Sequence, residues 1–175
     1  MLVTACDGVS AVSSTASSIP FAYDAGVNDI ATTVLEGTLH LVDAAKAAGV
    51  RQIVYTSFSA NIDLDFPLRN AKRTVEAYLK LSGLSYTILR PSCFMEVWLS
   101  PAVGFDIANA KVTIYGTGAR PISWIALADV AEHHRDRIRI VHGDEFVGRC
   151  GEEREFGERK RHVELQRRPV DAKDL

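Results

Sequence analysis

Polar side chains follow a short apolar, β-branched run near the middle of the chain. Thr56 and Ser57 end that run, and Phe58 comes directly after them. Ligands of parallel sheets bind at the carboxyl ends of the strands, so these three residues are candidates for a binding site. A second interpretation of Ser57 stays open, because a serine after a strand also serves as a loop-capping hydroxyl.

The cysteines and histidines show no spacing that binds a metal or activates a nucleophile. Cys6, Cys93 and Cys150 are far apart, which argues against a disulfide framework or a zinc site and favours a reducing cytoplasm. The five histidines form no H-E-x-x-H, and all except His40 lie in or near a charged tail (His133, His134, His142, His162). We therefore expect solvated or capping histidines. No G-x-S-x-G occurs, so an α/β-hydrolase is not indicated.

Glycine motifs for phosphate binding are absent from the sequence. It contains neither G-x-G-x-x-G nor G-x-x-x-x-G-K-[ST], and its one G-x-G, at Gly116, is better interpreted as a hairpin turn. A net charge of -2 gives no reason to expect nucleic acid or an anionic membrane as a partner. No apolar run is long enough for a transmembrane helix, and the first residues do not resemble a signal peptide.

The elements that must position these side chains alternate between strand and helix. Apolar runs at 52–57 and 85–91 predict two buried strands. Helical spacing of apolar residues predicts a helix over 66–82 between them, with Asp65 as its N-cap and Gly83 just after its end. Two buried strands joined by one helix form a right-handed crossover, and hence a parallel sheet.

The residues before this unit extend the same pattern. The run 8–15 predicts another strand, and Asn28 or Asp29 caps a long helix that continues to Ala48. Gly37 in the middle of that helix costs about 1 kcal/mol relative to alanine, which we attribute to close packing on a sheet. At 175 residues the chain can form one domain with a real core. Its first 91 residues predict βαβαβ, which is half of a doubly wound α/β fold.

The pattern loosens after Pro91. We predict a helix within 93–103, two short strands at 111–115 and 121–125 around the Gly116 turn, and a helix that begins near Ala126.

The last quarter of the chain carries more than half of its charged residues. It has few large apolar side chains to offset the entropy of ordering, so we expect a disordered charged tail. Only 137–141 alternates as a strand would. The predicted domains are accordingly 1–131 and 132–175.

Four segments in a fixed order resemble the NmrA-like group of atypical short-chain dehydrogenases/reductases. They are LVDAAKAAGVRQIVYTS (41–57), NAKRTVE (70–76), GLSYTILRPSCFME (83–96) and ISWIALADVA (122–131). The resemblance covers roughly residues 8–131. It implies a Rossmann fold that binds NADP, or NAD. Some members of the group reduce quinones or other small carbonyl compounds, and others only sense the cofactor.

The resemblance also implies a role for each matching residue. The loop Thr15, Ala16 and Ser17 corresponds to the segment against the adenosine and ribose side of the cofactor. Lys72 corresponds to the lysine that hydrogen-bonds the nicotinamide ribose and is the candidate catalytic residue. The loop that would line the nicotinamide consists of Pro91, Ser92, Cys93 and Phe94.

Each of these roles has a simpler structural alternative. Lys72 could pair with Glu76 on a solvated helix face, since the two are four residues apart. Pro91 could do no more than end its strand. Cys93 fits a small buried thiol better than a nucleophile.

Two departures from the family pattern shape the functional hypotheses. In the classical reductases a tyrosine four residues before the lysine serves as the acid, and here position 68 is a leucine. Hydride transfer would need another acid, such as Tyr55 or water, or no side-chain acid at all. We also expect a partial Rossmann-like sheet that lacks the first βαβ units, and with them the glycine-rich turn for the pyrophosphate. Three hypotheses follow: a reductase acting on a small-molecule substrate, a cofactor-sensing regulator with a protein partner or a second copy, and an inactive truncated fragment.

Overall fold

The computed structural model describes residues 1–18, 29–59, 64–114, 122–141 and 163–167. Helices and strands alternate along it, with a π-helical turn at Ile30–Glu36 and 3-10 turns at Pro101–Val103 and Ile107–Asn109. In chain order the elements are α1 (Leu2–Cys6), β1 (Ala11–Ser14), α2 (Gly37–Ala47), β2 (Gln52–Thr56), α3 (Pro67–Leu81), β3 (Ser85–Pro91), β4 (Cys93–Phe94), α4 (Met95–Trp98), β5 (Phe105–Asp106), β6 (Lys111–Val112), β7 (Trp124–Ile125), α5 (Leu127–Val141) and β8 (Val163–Arg167).

The main sheet has the strand order β1-β2-β3-β8. β1, β2 and β3 are parallel, with Ala11 opposite Gln52 and Gln52 opposite Ser85. β8 runs antiparallel to β3. The parallel strands confirm the predicted α/β fold, and all three end at one edge of the sheet.

Helices cover both faces of this sheet. Side chains of α2 and α3 pack with one face in a large apolar cluster that includes Val42, Val75, Leu79, Tyr55 and Ile88. A smaller cluster on the other face joins α5 to the sheet and consists of Val54, Leu89, Ile125 and Val130. The three layers are those of a doubly wound fold. In the described part of the chain, no helix is both long enough and apolar enough to cross a membrane.

The helix before β2 begins where the sequence predicted, but its glycine has a different reason. Asp29 caps it by accepting a hydrogen bond from the Thr32 N–H, at 2.6 Å. The first turns are π-helical, and the Gly37 N–H donates to the Thr32 carbonyl five residues earlier. A Cβ on Gly37 would lie 3.1 Å from that same carbonyl oxygen. The glycine therefore accommodates the wide turn, and the prediction of close sheet packing was wrong.

The crossover helix α3 and the two strands beside it lie where the sequence predicted them. The helix ends at Leu81 with Ser82 as its C-cap, and Gly83 follows with φ +87°, as a residue after a helix end often does. Its N-cap is Phe66 rather than Asp65, with no side-chain cap. The Asp65 carboxylate instead accepts a hydrogen bond from the Asn70 side chain at 2.6 Å, so the N-cap prediction was wrong.

The segment after Pro91 pairs differently from the prediction. The helix expected within 93–103 is confirmed only over the short α4, because the segment begins with β4, which runs parallel to β7. β6 pairs antiparallel with β5, so in the described residues β6 and β7 do not pair with each other. The predicted hairpin is therefore wrong as a strand pairing. The turn at Gly116 itself lies outside the described residues.

The beginning of the charged tail is helical. α5 crosses the boundary expected at Ala131 and continues to Val141, so both the disorder expected over 132–141 and the strand over 137–141 were wrong. The reason is an apolar stripe: Val130 and Ile138 pack on the sheet from one side of the helix. Residues 163–167 form β8, and the remainder of the tail lies outside the described residues.

Candidate functional site

The carboxyl ends of β1, β2 and β3 bring together all the segments that the sequence singled out. β1 ends at Ser14 and is followed by the exposed residues Thr15, Ala16 and Ser17. β2 ends at Thr56 and β3 at Pro91. The predicted site residues therefore lie at one edge of the sheet, which is where parallel sheets bind ligands.

Lys72 reaches this edge from α3 and joins two of the strands. Its ammonium donates hydrogen bonds to the carbonyl oxygens of Ala16, at 2.6 Å, and Thr56, at 2.9 Å. The residue is only 2% exposed, and its Nζ lies 5.0 Å from the centroid of the Tyr55 ring. The alternative of a solvated pair with Glu76 is therefore wrong. Lys72 ties the loop after β1 to the end of β2.

Burial changes the acidity of this lysine. Loss of hydration in the sheet–helix interface lowers the pKa of Lys72 from 10.5 to about 8. The ammonium is stabilised by its hydrogen bonds to the two carbonyl oxygens and by its contact with the Tyr55 ring. The lysine can thus lose its proton in mildly basic solution.

Glu76 is the centre of a buried ionic network one turn further along α3. It is 2% exposed, pairs with Arg73 and Arg90, each at 2.5 Å, and accepts a hydrogen bond from the Ser57 hydroxyl. Burial alone would raise the pKa of Glu76. The hydrogen bonds from Arg90 and Ser57 and the charges of the two arginines outweigh it and hold the pKa below its usual value.

The network also fixes the loop after β2. Arg73 donates to the carbonyl oxygens of Phe58, at 3.0 Å, and Ser59, at 2.9 Å. The Phe58 ring packs edge-on against Phe66, with ring centroids 5.2 Å apart. Ser57 is buried, with its hydroxyl directed at Glu76. Ser57 therefore contributes to the shape of the edge through this bond.

His134 is a member of the site that the sequence did not single out. It is 7% exposed, and its two ring nitrogens are hydrogen-bonded to the hydroxyls of Ser13 and Thr56, both at 2.6 Å. Burial, and then the charge of His133, lower the pKa of His134. The expectation of a solvated histidine was wrong here. The sequence feature that could have predicted its burial is its position four residues from both Val130 and Ile138, on the apolar stripe of α5.

The loop after β3 offers a hydroxyl but no reactive thiol. Pro91 is buried, and the buried Ser92 hydroxyl has no hydrogen-bond partner among the described residues. Burial raises the pKa of the half-buried Cys93 thiol, which makes it a poor nucleophile. The Cys93 N–H donates to the Ser123 carbonyl at 3.3 Å, and Phe94 packs with the smaller apolar cluster.

No tyrosine acid serves this edge among the described residues. Tyr55 is fully buried in the larger apolar cluster, and burial followed by the Glu76 charge raises its pKa. Its hydroxyl has no partner in the described structure, so the hypothesis of Tyr55 as an acid was wrong. Leu68, four residues before Lys72, cannot donate a proton.

A groove elsewhere on the surface does not compete with this site. It has a volume of about 410 Å³ and lies between α1 and α2, where its lining includes Leu2, His40 and Ala44. It shares no residue with the carboxyl edge. We therefore place the site by its chemistry and not by the size of the groove.

The edge fits the nicotinamide half of a dinucleotide. Thr15 and Ser17 present hydroxyls on an exposed loop, and ribose hydroxyls are suitable partners for them. The Ser92 hydroxyl, which lacks a partner among the residues that the structure describes, is available to a carboxamide. These residues could hold such a group.

Two curated proteins match parts of the chain. The photosystem II assembly factor Ycf39 of Guillardia theta is 37% identical over 100 residues, which cover 56% of this chain and 31% of that protein. An uncharacterised chloroplast protein of Arabidopsis thaliana is 40% identical over 62 residues, which cover 31% of this chain and 19% of that protein. The chain spans about a third or less of the length of these relatives.

A solved structure and a family model both agree with the fold. The structure of MoeE5 in complex with UDP-glucuronic acid and NAD superposes with a TM-score of 0.60 at 20% identity, over 77% of this chain and 54% of that one. The family model described as NAD(P)H-binding matches residues 1–133, which is most of the chain and includes every predicted site residue. The chain belongs to the NAD(P)H-binding family.

Proposed function

We propose that the carboxyl edge of β1, β2 and β3 binds the nicotinamide half of NADPH, or NADH, and supports reduction of a quinone. The observation that carries the proposal is the pair of hydrogen bonds from Lys72 to Ala16 and Thr56. They hold the first two loops of the edge in one fixed arrangement, as a binding site requires. When bound, a reduced nicotinamide supplies a hydride.

Each loop has a part in this proposal. Thr15, Ala16 and Ser17 lie against the adenosine and ribose side, and Pro91, Ser92, Cys93 and Phe94 line the nicotinamide. Between these two loops lies the end of β2 with the residues after it, Thr56, Ser57 and Phe58. Lys72 and the Glu76 network hold this segment in place. Lys72 acts by positioning these loops, since its burial and its two carbonyl partners direct it into the fold.

Among the described residues the edge has no tyrosine acid, and this indicates the class of acceptor. Reduction of a simple ketone leaves a strongly basic alkoxide, which needs a proton donor as it forms. A quinone takes up a hydride and one proton to give a hydroquinone, whose phenolic oxygen has a pKa of ~10, like tyrosine. Water can protonate such an oxygen. With Leu68 at the tyrosine position and Tyr55 buried, the site suits a quinone better than a ketone.

Titration and turnover test the proposal in two steps. Calorimetric titration with NADPH and then NADH measures binding and decides between the two cofactors. NADPH oxidation is then followed with a benzoquinone and with a simple ketone, and we expect turnover with the quinone alone. Lys72→Ala should weaken cofactor binding by about tenfold or more through loss of two charged hydrogen bonds. Lys80→Ala, an exposed lysine on the same helix, should bind as the wild type does.

A cofactor-bound regulator or assembly protein is the second candidate. It is supported by the similarity to the photosystem II assembly factor of Guillardia theta and by the lack of an acid at the described edge. It predicts cofactor binding without turnover of any quinone, and a partner that is another protein or a second copy of the chain. Absence of binding to either nucleotide would instead support an inactive polypeptide.

The isolated cysteines remain our reason to propose a cytoplasmic location.

A further inference from the structure

His134 brings a helix from the far face of the sheet to the same edge that Lys72 reaches from the near face. Its ring nitrogens lie 2.6 Å from the hydroxyl of Ser13 on β1 and 2.6 Å from the hydroxyl of Thr56 on β2. These strands are neighbours in the sheet. The imidazole therefore bridges two strands close to their carboxyl ends.

The bonding suits an uncharged imidazole. A neutral ring has one N–H donor and one acceptor nitrogen, and a hydroxyl can take either role, so both bonds are satisfied in a single tautomer. Val130 and Ile138, four residues away on either side along α5, belong to the smaller apolar cluster. Among the described residues, the charge that acts on the ring is that of His133, which is bonded to the Asp129 carbonyl of its own helix.

Thr56 connects His134 with Lys72. The hydroxyl of Thr56 bonds His134, and its carbonyl oxygen accepts from Lys72. His134 also bonds the Ser13 hydroxyl on β1, and Lys72 also donates to the Ala16 carbonyl in the loop after β1. The ends of both strands are thus held from both faces of the sheet, once by a cation and once by an imidazole.

We propose that His134 is a positioning residue for the NAD(P)H site, which keeps the ends of β1 and β2 together so that Lys72 can bond both segments. The proposal rests on the proposed cofactor binding at this edge. A leucine would fill the apolar stripe between Val130 and Ile138 without any polar group to satisfy. The role assigned to the histidine therefore lies in its two hydrogen bonds and not in its volume.

Three variants separate positioning from packing. His134→Leu keeps an apolar side chain on the stripe and removes both bonds. His134→Gln keeps one donor and one acceptor on a flexible amide. His133→Gln is the matched control, because His133 bonds only within its own helix in the described structure.

Hydrogen exchange of the cofactor-free chain is the first measurement. In His134→Leu we expect amide exchange to rise about tenfold in residues 11–18 and 52–59, because two hydrogen bonds of ordinary strength are lost there. Exchange in α3 should stay unchanged, His134→Gln should restore most of the protection, and His133→Gln should match the wild type. Unchanged exchange in both segments, or an equal rise across the whole chain, would overturn the proposal.

The NADPH dissociation constant is the second measurement. It should increase about tenfold in His134→Leu and recover in His134→Gln, in parallel with the exchange rates. Wild-type affinity in His134→Leu would contradict the positioning role even if exchange had risen. A wild-type chain that binds neither NADPH nor NADH would instead contradict the proposed function, and the exchange experiment would still decide whether His134 holds the strand ends.

Discussion

The two faces of the main sheet hold the same carboxyl edge with different chemistry. On the α3 face, Lys72 and the network of Glu76, Arg73 and Arg90 place several charges in a largely buried setting. On the α5 face, one imidazole with a lowered pKa bonds two hydroxyls. Charged groups form stronger hydrogen bonds, but they are penalised by loss of hydration. Disruption of the charged face should therefore be much more damaging than disruption of the neutral one.

The largest effect is expected from Glu76→Gln. This change removes the carboxylate that neutralises Arg73 and Arg90 and accepts from Ser57, and it leaves buried positive charge without compensation. Loss of one member of a buried ion pair costs about 3–5 kcal/mol. Urea unfolding should show a loss of that size, while Glu36→Gln, at an exposed glutamate, should change stability little. A loss below about 1 kcal/mol would mean that the network carries little of the stability.

A pair of core substitutions compares the apolar parts of the two faces. Leu79 and Leu89 are both fully buried, Leu79 in the larger cluster and Leu89 in the smaller one. Leu→Ala in a core costs about 2–5 kcal/mol, and more where neighbours cannot move into the cavity. We expect Leu79→Ala towards the upper end of this range and Leu89→Ala towards the lower end, both measured by urea unfolding. The reverse order would mean that the α5 face is the more rigid of the two.

The pH dependence of stability isolates the charge of Lys72. The pKa of Lys72 is about 8 in the folded chain, and the ordinary value of 10.5 applies to the unfolded chain. Between pH 8 and pH 10.5 the unfolded chain therefore binds more protons than the folded chain. The free energy of unfolding should then increase as the pH rises through this window, by roughly 3 kcal/mol. Relative to wild type, Lys72→Met should lack this increase, whereas Lys80→Met should keep it. Parallel curves for wild type and Lys72→Met would contradict the lowered pKa.

The α3 face was largely predictable from sequence, and the α5 face was not. Two apolar β-branched runs and one amphipathic helix with a terminal glycine were enough to locate β2, α3 and β3. Lys72 was found by resemblance, but its partners are backbone carbonyl oxygens, which every residue carries and no side-chain pattern reveals. The position of Lys72 was therefore predictable, and its orientation into the fold was not.

His134 was missed because composition obscured periodicity. The abundant charges after Ala131 suggested a segment that could not fold, yet they leave one side of α5 for Val130, His134 and Ile138. The pairing of the short strands after Pro91 was predicted wrongly for another reason. Strands of two residues are too short to carry a pattern, and whether β6 pairs with β5 or β7 depends on tertiary contacts.

The smallest expected effect is the acid sensitivity that His134 confers. Its pKa in the folded chain lies below the ordinary 6.5, so the unfolded chain takes up the proton first as the pH falls. Stability contributed by the neutral ring is fully present above pH 6.5 and decreases as the pH falls towards the lowered value. His134→Leu should not show this decrease, and His133→Gln should retain most of it. Unfolding curves at several pH values below 7 measure the difference. If wild type and His134→Leu lose stability equally, the imidazole is not held neutral, and the contrast between a charged face and a neutral face does not hold.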